Sequence, residues 1–341
     1  MNEHVLTTTV IGLSLIFTFT NGFQDGSSVT ATAIASRSLT PAQTITLVAS
    51  AEFLGALLGG SAVANSIQSI TNFPAEVSLL PVLASGLLAA ITWNFLTRFV
   101  RFPSSSTHAL VGGIVGAIVA QTGNDKYIVW GSPHSFIHPS GLWKVLISLF
   151  LSPLIGFLAG YLCLILLFVA LLRASTKINK TLKSVQCLSV GSLAFGHGAN
   201  DTQKAMGVML LCLKAAGIQT GNEIPLWVRL STGAVMAIGI IALARGIVKR
   251  VGSDIFKIQP VHALASQIAS ASVLLVGSAT GGPVAASQVI ASTVIGVGSA
   301  QRKKGVHWLV ARDMLIAWFL TIPGSGLLAC LIHLALVRHF H

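Results

Sequence analysis

Charged residues are scarce in this chain. Only 9% of its 341 residues are Asp, Glu, Lys or Arg, whereas 53% are hydrophobic, and the mean hydropathy is +0.81. A soluble domain usually carries about 25% charged residues. The composition therefore excludes an ordinary soluble protein and predicts an all-α, polytopic membrane protein that lies in a lipid bilayer.

Cysteine pairs and catalytic motifs are also missing. Four cysteines occur singly in or beside apolar segments, without a CxxC spacing, which favours packing roles over disulfides or metal ligation. The sequence contains no Gly-x-Ser-x-Gly elbow, His-Glu-x-x-His pair or P-loop, and no stretch long enough for a soluble catalytic domain. We therefore predict that the chain is not an enzyme and has no cofactor or metal centre. The first apolar run lacks a basic leader and should remain as a membrane segment.

Acidic residues are fewer than basic ones, with 9 Asp and Glu against 21 Lys and Arg. The basic residues cluster between apolar runs, which indicates a topology signal rather than a nucleic-acid partner. With the N-terminus outside, the inner connections hold 14 of them and the outer loops only Lys126. This bias predicts ten segments in the cytoplasmic membrane with both termini outside. The 14 residues are Arg37, Arg98, Arg101, Arg173, Lys177, Lys180, Lys183, Arg245, Lys249, Arg250, Lys257, Arg302, Lys303 and Lys304.

Two polar stretches interrupt the apolar pattern, residues 21–28 (NGFQDGSS) and 195–207 (FGHGANDTQKAMG). Gly22 and Asp25 recur as Gly198 and Asp201, both 176 residues later. A shared offset predicts an internal repeat, with residues 1–183 as the first membrane repeat and 184–341 as the second. Each half has about five membrane segments, and an odd number inverts the second repeat. Polar residues are costly in lipid, so both stretches are functional-site candidates.

The apolar runs define the expected segments. We predict first-half segments at 5–36, 42–63, 79–98, 103–120 and 143–172, and second-half segments at 185–217, 226–245, 260–279, 283–300 and 308–337. The first segment of each half should be a broken helix whose freed backbone groups face a ligand, the first of them at Asn21-Gly22. Residues 103–108 (PSSSTH) should form a re-entrant hairpin or a half-helix turned toward the interior.

Hydroxyls, amides and helix N-termini are the groups that hold an inorganic oxyanion. The predicted helix breaks and the serine-rich segment would supply them, although serines and threonines also satisfy helix carbonyls. The candidate substrate-binding residues are Asn21, Gly22, Ser104, Ser105, Ser106, Thr107, Gly198, Asn200, Thr202, Lys204 and Ser287.

Asp25 and Asp201 would repel a bare anion, so we predict that they hold a coupling cation or a proton, on opposite sides of the oxyanion. Carboxylate, amide and hydroxyl oxygens suit sodium or a proton and not a soft metal. The roles of two residues stay open. Lys204 either balances the charge of Asp201 or contacts the anion, and Glu52 either relays a proton or pairs with an arginine. The coupling-ion candidates are Asp25, Ser28, Asp201, Gln203 and Glu52.

These motifs resemble those of the PiT family of inorganic phosphate transporters. Residues 198–207 resemble the second-half signature, 21–25 with Arg37 and Pro41 the first-half signature, and 103–108 the serine-threonine segment. The resemblance covers essentially the whole chain. It implies a secondary transporter, a symporter that moves phosphate with a proton or sodium gradient, in which the motif residues form the central site.

The chain also departs from the family pattern. Gln24 and Ser28 stand where the first signature usually has asparagines. Residues 285–288 (AASQ) replace the expected second Ser-Thr-Thr-His, so two hydroxyl donors are missing. A related branch of the family is associated with sulfate, so transport of another oxyanion is an alternative, and an anion channel is a second one. Glycines spaced four apart also suggest a possible homodimer.

Overall fold

The protein is described here by a computed structural model that covers residues 3–73, 78–100, 102–131, 139–173, 178–243 and 258–340. These residues form eleven α-helices and one 3-10 turn, Lys303–Gly305. The α-helices are α1 Glu3–Ala35, α2 Pro41–Leu58, α3 Ala62–Gln68, α4 Leu80–Phe99, α5 Ser106–Thr122, α6 Gly141–Leu171, α7 Ile178–Ala215, α8 Leu226–Leu243, α9 Pro260–Thr280, α10 Ala286–Arg302 and α11 Trp308–Phe340.

Ten of these helices correspond to the ten predicted segments, and α3 is an additional short helix. Six are long and apolar enough to cross a membrane, namely α1, α2, α4, α6, α9 and the 311–337 part of α11. The all-α, multi-pass membrane class predicted from composition is therefore confirmed. Six of the basic residues used for orientation lie outside the described residues, so the direction of insertion stays a prediction. They are Arg101, Lys177, Arg245, Lys249, Arg250 and Lys257.

The predicted helix breaks are wrong, because α1 and α7 run unbroken through both polar stretches. The glycines of these stretches serve close packing instead. A Cβ on Gly22 would lie 2.5 Å from the carbonyl oxygen of Met236, and one on Gly198 would meet the carbonyl oxygen of Glu52. The polar side chains find partners on neighbouring helices, so the backbone hydrogen bonds need not open to satisfy them.

Contacts between helices pair the two halves of the chain. Helix α2 packs on α7 and α1 on α8, while α6 packs on α10 and α5 on α11. Each contact has a counterpart when the two halves are exchanged, as an internal repeat would produce. The repeat boundary and the inversion of the second repeat stay predictions.

Glycine pairs on three helices are used for packing within this chain. Gly55 in α2 lies against α7, Gly116 in α5 against α11, and Gly160 in α6 against α10. Added Cβ atoms would meet the carbonyl oxygens of Phe195, Gly326 and Thr293 respectively. The glycine spacing therefore gives no support for a homodimer, which also stays a prediction.

Helices α5 and α10 begin inside the protein. Ser104 to Thr107 at the start of α5 are between 1% and 6% exposed, and Ala286 at the start of α10 is 1% exposed. With 17 residues each, these helices are about 25 Å long, shorter than the roughly 30 Å of a hydrocarbon core. The N-terminus of α5 is turned inward as predicted, and both N-termini can serve an interior site.

Candidate functional site

The two motif carboxylates lie side by side in the protein interior. One oxygen each of Asp25 and Asp201 and one ring nitrogen of His197 lie within 4.8 Å of one another, and all three residues are buried. This upper limit is about twice the 2.3–2.6 Å between a hard cation and its oxygen ligands, so one ion could contact all three groups. A cation fits between the carboxylates, whereas a proton would be bound by one of the three groups. An oxyanion has to lie to one side of them, which corrects the expectation that they flank it.

The charge of Asp201 is balanced by a lysine of the same helix. The Lys204 Nζ donates to Asp201 Oδ1 at 2.6 Å, and the Asn21 Nδ2 donates to Oδ2 at 3.0 Å. Lys204 also donates to Thr107 Oγ1 and to the carbonyl oxygen of Val284, both at 2.7 Å. An ammonium group has three protons, and all are used. Of the two alternatives for Lys204, the structure therefore shows the one in which it balances Asp201.

Asp25 lies in the wall of a cavity of about 170 Å³ between α1, the segment just before α5, α10 and α11. One water needs about 10–15 Å³ on this measure, so the cavity has room for a small polyatomic ligand. Met314 and Trp318 contribute to its apolar wall. Its polar wall consists of Gln24, Asp25, Ser28, Thr32, Ser104, Ser287 and Gln288.

Two helix N-termini meet at this cavity. Ser105 is the N-cap of α5 and accepts a hydrogen bond from the backbone N–H of His108 at 3.3 Å, while Ser104 before it lines the cavity. Ser287 and Gln288 are in the first turn of α10 and line the same cavity. Helix N-termini carry a partial positive charge and unpaired N–H groups. This arrangement can bind an oxyanion.

The serine-rich segment also contacts the charged cluster directly. The Ser106 hydroxyl donates to Asp25 Oδ2 at 2.9 Å, and Thr107 accepts from Lys204. Ser104 shares a 2.6 Å hydrogen bond with Thr97. Three residues at or just before the start of α5 therefore contact the cavity, the first-half carboxylate and the motif lysine: Ser104, Ser106 and Thr107.

Glu52 is joined to the cluster through histidine. Its side chain is fully buried in α2, and its Oε1 lies 2.8 Å from His197 Nδ1. The other ring nitrogen, Nε2, is 3.6 Å from Asp201 Oδ2. Of the two alternatives for Glu52, pairing with an arginine is not what the structure shows, because its partner is His197.

Three motif residues of α7 are engaged away from the cavity. Thr202 donates to the carbonyl oxygen of Gly198 at 2.6 Å. Asn200 donates to the carbonyl oxygen of Gly282 at 3.0 Å, in the turn between α9 and α10. Gln203, a predicted ion ligand, is bonded to the backbone at the start of α3 instead.

Gln203 holds the short helix α3. Its Oε1 accepts hydrogen bonds from the backbone N–H groups of Val63 and Ala64 at 2.9 and 3.3 Å. Its Nε2 donates to the carbonyl oxygens of Gly59 and Ala199 at 2.8 and 2.6 Å. These four bonds use the amide fully, so its ion-ligand assignment finds no support in this conformation.

Some cavity residues were not among the predicted site residues. Thr32 follows Asp25 and Ser28 on the same helical face, at a spacing of i, i+3 and i+7, which could have identified it. Gln24 and Gln288 stood out only as departures from the family pattern. Met314 and Trp318 come from α11 and carry no local signal, because only helix packing brings them there.

Comparisons with known proteins identify the family of this chain. A family model described as the phosphate transporter family matches residues 21–185 and 172–329. The chain is 33% identical to a "probable low-affinity inorganic phosphate transporter" of Bacillus subtilis, over 97% of both chains. It is also 33% identical to a protein of the same name from Rhizobium meliloti, over 96% of this chain and 95% of that one.

A solved structure of a sodium-dependent phosphate transporter has the same fold. The TM-score is 0.85 with 21% sequence identity, over 98% of this chain and 99% of that one. The relatives are named as transporters, in agreement with the prediction that the chain is not an enzyme. The chain belongs to the phosphate transporter family.

Proposed function

We propose that this protein is a symporter that moves inorganic phosphate across the cytoplasmic membrane, driven by a proton or sodium gradient. The observation that carries the proposal is a small polar cavity, at the N-termini of α5 and α10, with the buried Asp25 in its wall beside Asp201. Family membership and the names of the relatives support phosphate as the substrate.

Neutral donors would hold the phosphate. Ser28, Ser104 and Ser287 line the cavity, and the N-termini of α5 and α10, where helices leave N–H groups unpaired, lie beside it. Hydrogen bonds from such groups to an anion are stronger than bonds between neutral partners. Ser28, Ser104 and Ser287 are therefore the proposed substrate contacts.

Charge in the cluster explains how a cation would couple to phosphate. Asp25, Asp201 and Glu52 are buried together with Lys204 and His197, so the carboxylates outnumber the permanent cation. Uncompensated charge in an apolar interior is costly. A sodium ion held by Asp25 and Asp201, or a proton on His197 or Asp201, would relieve it and weaken the repulsion of the anion. Binding of cation and anion would then favour each other, which is the requirement for symport.

The Glu52–His197 pair extends this cluster into α2. Both side chains are fully buried and joined by a 2.8 Å contact. We propose that Glu52 exchanges a proton with the cluster through His197 when a proton is the coupling ion. The positive-inside bias further supports both termini outside the cytoplasm.

Uptake of labelled phosphate into liposomes that contain the purified protein tests the proposal. A sodium gradient and a pH gradient are imposed separately, with unlabelled sulfate as competitor. Protein-free liposomes and an ionophore that collapses each gradient are the controls. We expect accumulation above equilibrium with one gradient and no competition by sulfate. Accumulation that is independent of both gradients would contradict symport, and none at all would contradict phosphate transport.

A further inference from the structure

The cavity combines a carboxylate with neutral donors. Asp25 lies in its wall together with Ser28, Ser104 and Ser287. Among the residues that the structure describes, no lysine or arginine lines the cavity, and the three protons of Lys204 are used elsewhere. An oxyanion that carries no proton would face an ionised carboxylate and be repelled by it.

The two motif carboxylates differ in their remaining capacity to accept hydrogen bonds. Asp201 accepts from Lys204 at one oxygen and from Asn21 at the other. Asp25 accepts only from the Ser106 hydroxyl, at Oδ2, among the described residues. A carboxylate offers about four acceptor sites, so Asp25 can take a further donor from the cavity.

We propose that Asp25 accepts a hydrogen bond from a P–OH group of the bound phosphate and thereby selects protonated oxyanions over sulfate. The inference rests on the proposed phosphate transport. At neutral pH every inorganic phosphate species keeps a hydroxyl, whereas sulfate has acceptor oxygens only. The P–OH group would form a short, charge-assisted bond with Asp25. Sulfate would instead place two negatively charged acceptors in contact.

Discrimination of this kind is strong in principle. A site built to hydrogen-bond a substrate hydroxyl rejects an analogue that lacks it by about 10⁴–10⁵-fold. The cavity also contains water-sized space that can soften the penalty, so we expect sulfate to bind at least about 100-fold more weakly than phosphate. This selectivity answers the sulfate alternative that the sequence left open.

Equilibrium binding to the purified full-length protein in detergent tests the inference, with phosphate, arsenate and sulfate as separate ligands. Arsenate carries As–OH groups, so it should bind like phosphate, whereas sulfate should not. The Asp25→Asn change replaces an acceptor with an N–H donor, so sulfate should gain affinity and the phosphate-to-sulfate ratio should fall below about 10-fold. Asp25→Ser, which also offers a donor, should act in the same direction.

Asp125→Asn is the control, since it removes one negative charge at an exposed carboxylate that does not line the cavity. It should keep the preference for phosphate over sulfate. Wild-type sulfate affinity within 10-fold of phosphate would overturn the inference. So would loss of phosphate binding in both Asp25 variants without a gain for sulfate. Failure of the wild type to bind both phosphate and arsenate would overturn the phosphate proposal itself, and this inference with it.

Discussion

The two Gly-x-x-Asp stretches match in sequence and differ in their surroundings. Asp25 lies in the cavity wall with one hydroxyl donor, whereas Asp201 is paired with Lys204 and Asn21. The residue three positions later makes the difference, because on a continuous helix it lies beside the carboxylate. That residue is Ser28 in α1 and Lys204 in α7. Equivalent positions in the two halves can therefore have different roles, one in binding substrate and the other in balancing charge.

The same asymmetry appears at the two interior helix N-termini. Helix α5 begins with hydroxyls that contact Asp25 and Lys204. At the start of α10, Ala285 and Ala286 pack in apolar clusters, and Ser287 reaches the cavity. The second half therefore lacks its two hydroxyls at positions whose side chains pack in the apolar core.

Asp201→Asn should have the largest effect on this comparison. The change is nearly isosteric but removes the charge that Lys204 and the coupling cation share. We expect gradient-driven phosphate uptake to fall to background in liposomes that contain inserted protein, and the thermal unfolding midpoint in detergent to fall as well, because Lys204 stays buried without its carboxylate. Wild-type uptake rates in correctly inserted Asp201→Asn protein would refute a role for this carboxylate in coupling.

Lys204→Met should destabilise the protein, because it leaves Asp201 buried with no permanent cation beside it. Removing one partner of a buried ion pair costs about 3–5 kcal/mol of unfolding free energy. The thermal unfolding midpoint in detergent should therefore drop strongly. Combining Lys204→Met with Asp201→Asn should recover most of the loss. If the losses of stability in the two single variants simply add in the double variant, the two side chains do not interact as a pair.

Gly22→Ala and Gly198→Ala test whether the motif glycines serve packing in both halves. The added methyl groups would collide with the carbonyl oxygens of Met236 and Glu52, so each should cost about 1–3 kcal/mol. Gly12→Ala is the matched control in α1, where a Cβ meets nothing within 4 Å, and it should be neutral or slightly stabilising. Equal thermal stability of all three variants would contradict the packing role.

Ala285→Ser should have the smallest effect. It restores a hydroxyl of the family pattern, but Ala285 is 1% exposed within an apolar cluster and does not line the cavity. We expect an unchanged apparent affinity for phosphate in the uptake assay. A clearly tighter affinity would place residue 285 in contact with the substrate and remove the asymmetry between the two helix N-termini.

Sequence periodicity predicted most of the helices because long apolar runs bounded by charged residues are a strong signal. The second segment was predicted at 42–63, and α2 spans Pro41–Leu58 because the chain turns at Gly59 and Gly60 before α3. The glycine at 22 suggested a break in the first helix, but its role depends on Met236, which is remote in sequence, as the role of Gly198 depends on Glu52. The local sequence pattern cannot distinguish a glycine that bends a helix from one that lets a neighbouring helix pack closely.

The sequence predicted which residues form the candidate site, but it did not predict which residues they contact. The motifs identified both carboxylates and the α5 hydroxyls as polar residues in apolar spans. The pairing of Gln203 with α3 and of Glu52 with His197 depends on helices that contact only after folding. The choice between the two roles of Lys204 likewise required the positions of Thr107 and Val284.

The location of arsenic in crystals grown with arsenate tests the central claim most directly, because its anomalous signal marks the oxyanion without ambiguity. We predict a peak in the cavity beside Ser104 and Ser287, with an arsenate oxygen in hydrogen-bond contact with Asp25. A peak bound to Lys204 and Thr107, remote from Asp25, would contradict the division of roles between the two carboxylates.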